Sequence, residues 1–261
     1  MKRYLKLYWA FFKNCLIREM EFRSHFILNN VITFIWAIIV MMVFFFIYRY
    51  VDVVNGWTLE KMLLLTAVYF LVDRIFDSFF EINFGNFITI VNTGQLDLIL
   101  VKPVNSQFVV SLRQFSFAMV FSNLTMLLTI IYLCQRYFWP ISFLQIFTFI
   151  ILILASVVIT YSLWFMSLLP IFWWGRVDNI QHLFRPVHQL CRIPIDVTGK
   201  FRLFLTYVMP LAFVATIPAK SLIGNLSLGL VVYGVFAAAF LLWLSHRLWQ
   251  FALKHYSSAS S

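Results

Sequence analysis

An all-α integral membrane protein is what composition and hydropathy together predict. Of 261 residues, 62% are hydrophobic and 11% charged, with a mean hydropathy of +0.89, whereas soluble domains carry roughly 25% charged residues and about half apolar ones. A soluble globular enzyme is excluded. Apolar runs at residues 26–48 and 143–169 exceed the ~18 residues that a helix needs to cross a hydrocarbon core. Neither run alternates apolar with polar positions as an outer-membrane strand does. At about 20 residues per span, the length predicts about six transmembrane helices and leaves little for a water-soluble domain. Whatever fuels the protein is expected on another chain.

Lysine and arginine number 20 against 10 aspartate and glutamate, a net charge of +10. On a soluble protein that excess would suggest nucleic acid. On a membrane protein it marks the cytoplasmic side, so no nucleic-acid partner is expected. Cys15, Cys134 and Cys191 are widely separated, without metal-ligand spacing, and are expected to pack. The basic start ends in no small-residue cleavage site and leads into a run longer than a signal peptide's apolar core, so no segment is expected to be removed.

Residues 1–25 interleave Lys2, Arg3, Lys6, Lys13, Arg18 and Arg23 with Tyr4, Tyr8, Trp9, Phe11 and Phe12. On a helix Lys2, Lys6 and Lys13 fall within about 40° of one another. That arc predicts an amphipathic interfacial helix, lysines toward lipid phosphates and aromatics toward acyl chains. A plain basic flank of the first span is the alternative. The first span is expected over 26–48, and the outer connection 49–60 contains Asn55-Gly56, a turn signal. Span two, from 61 to about 87, carries Asp73, Arg74, Asp77 and Glu81. The three carboxylates are spaced i, i+4, i+8 and form one stripe. At ~1.5 Å per residue Asp73 lies near mid-membrane and Glu81 near the inner interface. Charges at that depth face a protein interior or a wet cavity.

Gly94 and Pro103 bracket a segment too short to span, which predicts a cytoplasmic connector. Span three is expected over 108–132, an outer loop over 134–140, and span four from 141. Two layouts follow. In the first, span four ends near Trp164, a fifth span covers 168–191, and 194–224 lies outside or re-enters. In the second, span four extends to Trp174, 175–202 is a cytoplasmic loop, and span five covers 201–217. The basic residues Arg176, Arg185, Arg192, Lys200 and Arg202 favour the second. Against it, Asp178, His182, Arg185, Gln189 and Arg192 share one polar stripe on an otherwise apolar helix, as suits a span lining a cavity. Both layouts place the last span at 226–249 and both termini inside.

The sequence holds no Gly-x-x-x-x-Gly-Lys-[Ser/Thr] phosphate loop and no Gly-x-Ser-x-Gly elbow. The five histidines form no ligand pattern, so neither a catalytic nor a metal site is expected. The acidic stripe and the stripe at 178–192 read either as a translocation face or as partners, Asp73 or Asp77 against Arg185 or an arginine of a second subunit.

From Gly94 to Asn105 the sequence reads Gly-Gln-Leu-Asp-Leu-Ile-Leu-Val-Lys-Pro-Val-Asn. It resembles the type-2 ABC transporter permeases, specifically a bacterial branch with a G-x-L-D-x-x-L-x-K-P signature. Residues 172–177, 192–196, 209–213 with 217–219, and 255–260 fit the same branch, in order over nearly the whole chain. The resemblance implies six spans, an N-terminal interfacial helix, and re-entrant outer helices at 194–224 as in the first layout. It also implies a coupling connector over 92–105, with Gly94, Leu96, Asp97, Leu100, Lys102 and Pro103 docking on a separate ATPase. Further implied are two ATPase copies holding ATP and Mg, no cofactor on this chain, a related second permease, and export across the bacterial inner membrane by alternating access. A solvated loop is the plainer reading of Asp97 and Lys102. The rival functions are an ion-coupled transporter using Asp73, Asp77 and Glu81, for which no internal repeat is apparent, and a membrane scaffold or enzyme subunit.

Overall fold

The computed structural model describes residues 2–21, 23–174, 184–224 and 226–256. Among these the regular structure is helical apart from one isolated bridge, Val54 to Trp57. The bridge is closed by Asn55 and Gly56, both at positive φ (47° and 81°), the conformation that an Asn-Gly turn adopts most readily.

Helix α1 (Lys2–Glu21) leads into α2 (Arg23–Tyr48). After the turn, α3 (Leu59–Phe76) continues through a π turn (Asp77–Glu81) into α4 (Ile82–Asn92). Helix α5 (Gln95–Leu100) forms the connector, and α6 (Ser106–Leu112) and α7 (Ala118–Tyr137) follow. Helix α8 (Phe143–Leu168) opens on a capping box between Ser142 and Gln145. Four helical segments among the described residues are long and apolar enough to cross a membrane: Asn30–Tyr48, Ala118–Tyr137, Phe143–Trp174 and Leu228–Leu253. The charged helix running from α3 to α4 falls outside that set, because Asp73, Arg74, Asp77 and Glu81 interrupt its apolar character.

The third span starts later than residue 108. Residues 113–117 form a non-helical break between α6 and α7, and its polar groups are met by side chains rather than by a helical ladder. Asn83 donates to the Gln114 carbonyl (2.7 Å) and accepts from the Gln114 amide (2.8 Å). The Ser116 amide donates to the Ser78 carbonyl (2.8 Å), inside the π turn. The Phe115 amide meets Cys15 Sγ and the Phe117 amide donates to Glu19. Buried backbone groups need such partners, and here α1 and the π turn supply them.

Of the expected fifth span over 168–191, residues 168–174 and 184–191 are described. Helix α8 runs past Trp164 to Leu168, Pro170 interrupts it, and α9 (Ile171–Trp174) follows, since proline offers no N–H to continue the ladder. The described chain resumes with α10 (Phe184–Gln189) and a 3₁₀ turn (Leu190–Arg192). Asp178 and His182 lie outside the described residues.

From α10 the chain climbs along α3. Arg185 meets Glu81, Arg192 lies over the Tyr69 and Phe70 rings, and Asp196 accepts from Trp57 Nε1 (3.1 Å). Residues 194–224 therefore stand at the Trp57 end. There a 3₁₀ turn (Ile195–Thr198), α11 (Phe201–Leu203), a π turn (Phe204–Val208), a 3₁₀ turn (Leu211–Phe213) and α12 (Thr216–Ile223) follow one another. Gln145 at the start of α8 donates to the Leu222 carbonyl. Deeper in, the Ser156 hydroxyl donates to the Phe213 carbonyl, about 20 Å along α8 at 1.5 Å per residue.

Helix α13 (Leu228–Leu253) returns the chain to the connector end, where Trp249 Nε1 donates to Ser106 Oγ (3.1 Å). It packs along α8, and a Cβ at Gly234 would stand 2.6 Å from the Phe213 ring, so glycine sets that approach. The core between α3, α4, α8 and α13 is aromatic: Phe76 stacks on Trp164 at 4.6 Å and Phe165 meets Trp249 at 5.5 Å.

Candidate functional site

The connector is built by local rules. Helix α4 ends at Asn92, and Gly94 takes φ 72°, a left-handed conformation that suits glycine just past a helix end. The turn re-aims the chain into α5. On α5, Leu96 and Ile99 are fully buried, three residues apart on one face, and pack against α4 and α6. The other face is open: Leu98 is 69% and Val101 85% exposed, and Leu100, Lys102 and Pro103 are exposed beside them. Asp97 is half-buried in the first turn. Asn105 then caps α6, accepting from the Phe108 amide (3.1 Å).

Helix α1 braces this connector. The Tyr4 hydroxyl accepts from the Asn105 amide (3.3 Å), and its ring meets the Phe108 edge at 5.3 Å. Further along, Phe12 packs on Phe115 and Phe117 at 5.1 and 4.5 Å. Tyr4, Phe12, Cys15 and Glu19 share an arc of about 80° on the helix. The expected orientation of the aromatics toward acyl chains is thus corrected in part, because the break at 113–117 covers Phe12 while Trp9 stays exposed. Lys6 and Lys13 are exposed. The Lys2 side chain lies outside the described set.

A second polar centre lies between α3 and α10. Arg74 donates to Asp77 (2.9 Å) and stands 3.5 Å from Asp73. Arg185 is 3.6 Å from the other Asp77 oxygen and is paired with Glu81. His188, fully buried, places Nδ1 at 3.4 Å from Asp73 and 3.2 Å from the Tyr69 hydroxyl. Three carboxylates thus meet two guanidiniums directly, with Arg192 held over the rings of Tyr69, Phe70 and Trp36. Chemically this is a charge-paired clasp joining α3 to α10, since buried charges persist only when paired. Nothing in it is arranged as a nucleophile with its base.

A model of the family described as ABC-2 family transporter protein matches residues 34–260. The chain belongs to the ABC-2 transporter family. This ABC-2 protein is accordingly a multi-pass membrane permease, the transmembrane component of an ABC transporter, and permeases of the family work with ABC ATPase partners. No curated protein and no solved structure gives a match.

Of the residues that the sequence singled out in this permease, Gly94, Leu96, Asp97, Leu100, Lys102 and Pro103 lie together in the connector, with Leu96 turned into the core rather than outward. Asp73, Arg74, Asp77, Glu81 and Arg185 converge in the clasp. Arg192 stands nearby on aromatic rings, and Gln189 is exposed. His188, Asn83 and Asp196 were not among the singled-out residues. A lone histidine or asparagine in an apolar helix gives no spacing signal, and its partner is visible only once helices are packed.

Proposed function

We propose that this permease is one half of an ATP-driven exporter, paired with a second, related permease and served by two copies of a separate ATPase that hold ATP and Mg. The connector 92–105 is its coupling helix. One observation carries the reading: α5 is anchored by Leu96 and Ile99 while it presents Leu98, Leu100, Val101 and Lys102 outward, which is the build of a lever seated in a partner's groove. Apolar residues gathered on the open face of an anchored turn favour a partner's groove over a plain solvated loop.

The connector, α1 and the end of α13 share one end, and the basic α1 supports that end as cytoplasmic. Six crossings follow when the charged helix 59–92 and the ascent through 184–193 are counted with the four apolar ones. Residues 194–224 then form a re-entrant outer unit in the inner membrane of a bacterium. Closure of the ATPase pair moves α5. Its anchors pass that movement to α4 and α6, the Tyr4 contact engages α1, and the spans of the two permeases alternate access.

The test is co-purification with the cognate ATPase. Leu98→Asp with Val101→Asp should lose the ATPase while the permease still inserts, and Asp97→Asn with Lys102→Gln should leave ATP hydrolysis uncoupled from transport. Undiminished ATPase binding by the first pair would overturn the reading.

A further inference from the structure

At the Trp57 end, opposite the connector, a polar cavity of about 480 Å³ opens between three separate stretches of chain. The turn and the start of α3 supply Trp57 and Lys61, the 3₁₀ turn and α11 supply Asp196 and Arg202, and α12 supplies Lys220. Asp196 organises the floor. Its carboxylate accepts from Trp57 Nε1 (3.1 Å) and pairs with Lys220 Nζ at 2.6 Å and Arg202 Nε at 3.3 Å. Below it a smaller cavity of about 150 Å³ continues past Thr206 and Tyr207.

The charges do not balance. Of the described residues lining the larger cavity, three are cations and Asp196 is the one carboxylate. Lys220 alone suffices to neutralise Asp196, lying closest and only 23% exposed. Arg202 shares that carboxylate with its side chain 58% exposed. Lys61 has no carboxylate there and donates instead to the Gly56 carbonyl (3.2 Å). Like charges drawn to one small cavity repel, and the arrangement leaves two positive charges facing its open volume. The volume falls within the few hundred cubic ångströms typical of small-molecule sites.

We propose that this cavity binds a phosphate-class oxyanion, carried either on the headgroup of an anionic lipid at that face or on a free phosphate. Lys61 and Arg202 hold the oxyanion, while Lys220, Asp196 and Trp57 keep the floor in shape. Arg202 offers its remaining guanidinium N–H groups, whose planar fork fits two oxygens of a phosphate. Binding here is separate from the ATPase contact, so it is read on the permease alone and survives or fails independently of the coupling assignment.

The experiment is a lipid titration of the purified full chain followed by native mass spectrometry, with phosphatidylglycerol and zwitterionic phosphatidylcholine as probes. The wild type should retain one phosphatidylglycerol in preference to phosphatidylcholine, and Lys61→Gln with Arg202→Gln should weaken that retention about tenfold or more, the scale of one lost charge-assisted hydrogen bond. These two substitutions leave the Lys220–Asp196–Trp57 floor in place, and circular dichroism of the variant checks that it is folded. Lys254→Gln, on the exposed tail at the other end, should bind as the wild type does. Displacement of the lipid by millimolar inorganic phosphate assigns the site to free oxyanions, and indifference to phosphate assigns it to the lipid headgroup. Equal phosphatidylglycerol retention by the folded double variant and the wild type, or no preference over phosphatidylcholine, overturns the proposal.

Discussion

Asn83 carries more than its size suggests. Its amide donates to the Phe79 and Gln114 carbonyls and accepts from the Gln114 amide, so one side chain closes the break between α6 and α7. Asn83→Ala removes the Asn83 partner from both Gln114 backbone groups, and each hydrogen bond lost costs about 1 kcal/mol. Thermal unfolding in detergent should show a clear drop in midpoint, and an unchanged midpoint would remove Asn83 from this role. The Arg185 clasp makes a second prediction. Arg185→Gln takes the cation from Glu81 and from beside the buried Asp77 and should lower the yield of folded permease, as a buried carboxylate that loses a partner is destabilising. Asp77→Asn added to it should restore part of that yield. Should both variants assemble normally and only transport change, the charges serve a path instead. The acidic stripe was legible in the sequence because charge is rare in an apolar span; Asn83 was not, because its partner lies across a break that only packing creates.

Among the elements, α5 and the helix 59–92 differ in how they were written. Gly94 and Pro103 delimit the connector in the sequence, and the chain turns at Gly94 with φ 72° as that spacing implies. Gly94→Val should strain this turn by about 1–2 kcal/mol and impair coupling, measured as transport per ATP hydrolysed, without loss of insertion; full coupling would show that the turn tolerates a side chain. The π turn at 77–81 had no such punctuation. It sits where Ser78 lends its carbonyl to Ser116, a widened ladder of the kind that recurs at functional positions in helices. Pro170 breaks α8 before α9, and the place of α10 beside α3 depended on contacts between distant residues.

For the molecule as a whole, two ends are distinguished by what gathers there: α1, the connector and the C-terminal end of α13 at one, the turn 49–60 and residues 194–224 at the other. Cysteine substitutions at Lys102 and Lys200 should be labelled by membrane-impermeant reagents from opposite sides. Cys15, Cys134 and Cys191 are buried, so their background reaction is small. Labelling of both positions from one side would overturn the assignment of 194–224 to the far end and revive the cytoplasmic loop that the charge count favoured.

Composition and hydropathy alone made this an all-helical membrane protein, because hydrocarbon tolerates only apolar, internally hydrogen-bonded segments and that demand is written residue by residue. The connector was likewise local, set by a glycine, a proline and a short run between them. Tertiary structure decided the rest. Whether Arg185 belongs to a loop or a clasp, and whether Asp196 gathers Lys220 and Arg202 from distant stretches, depends on which helices lie side by side. That choice is made by packing between residues far apart in the chain, and no window of sequence contains it.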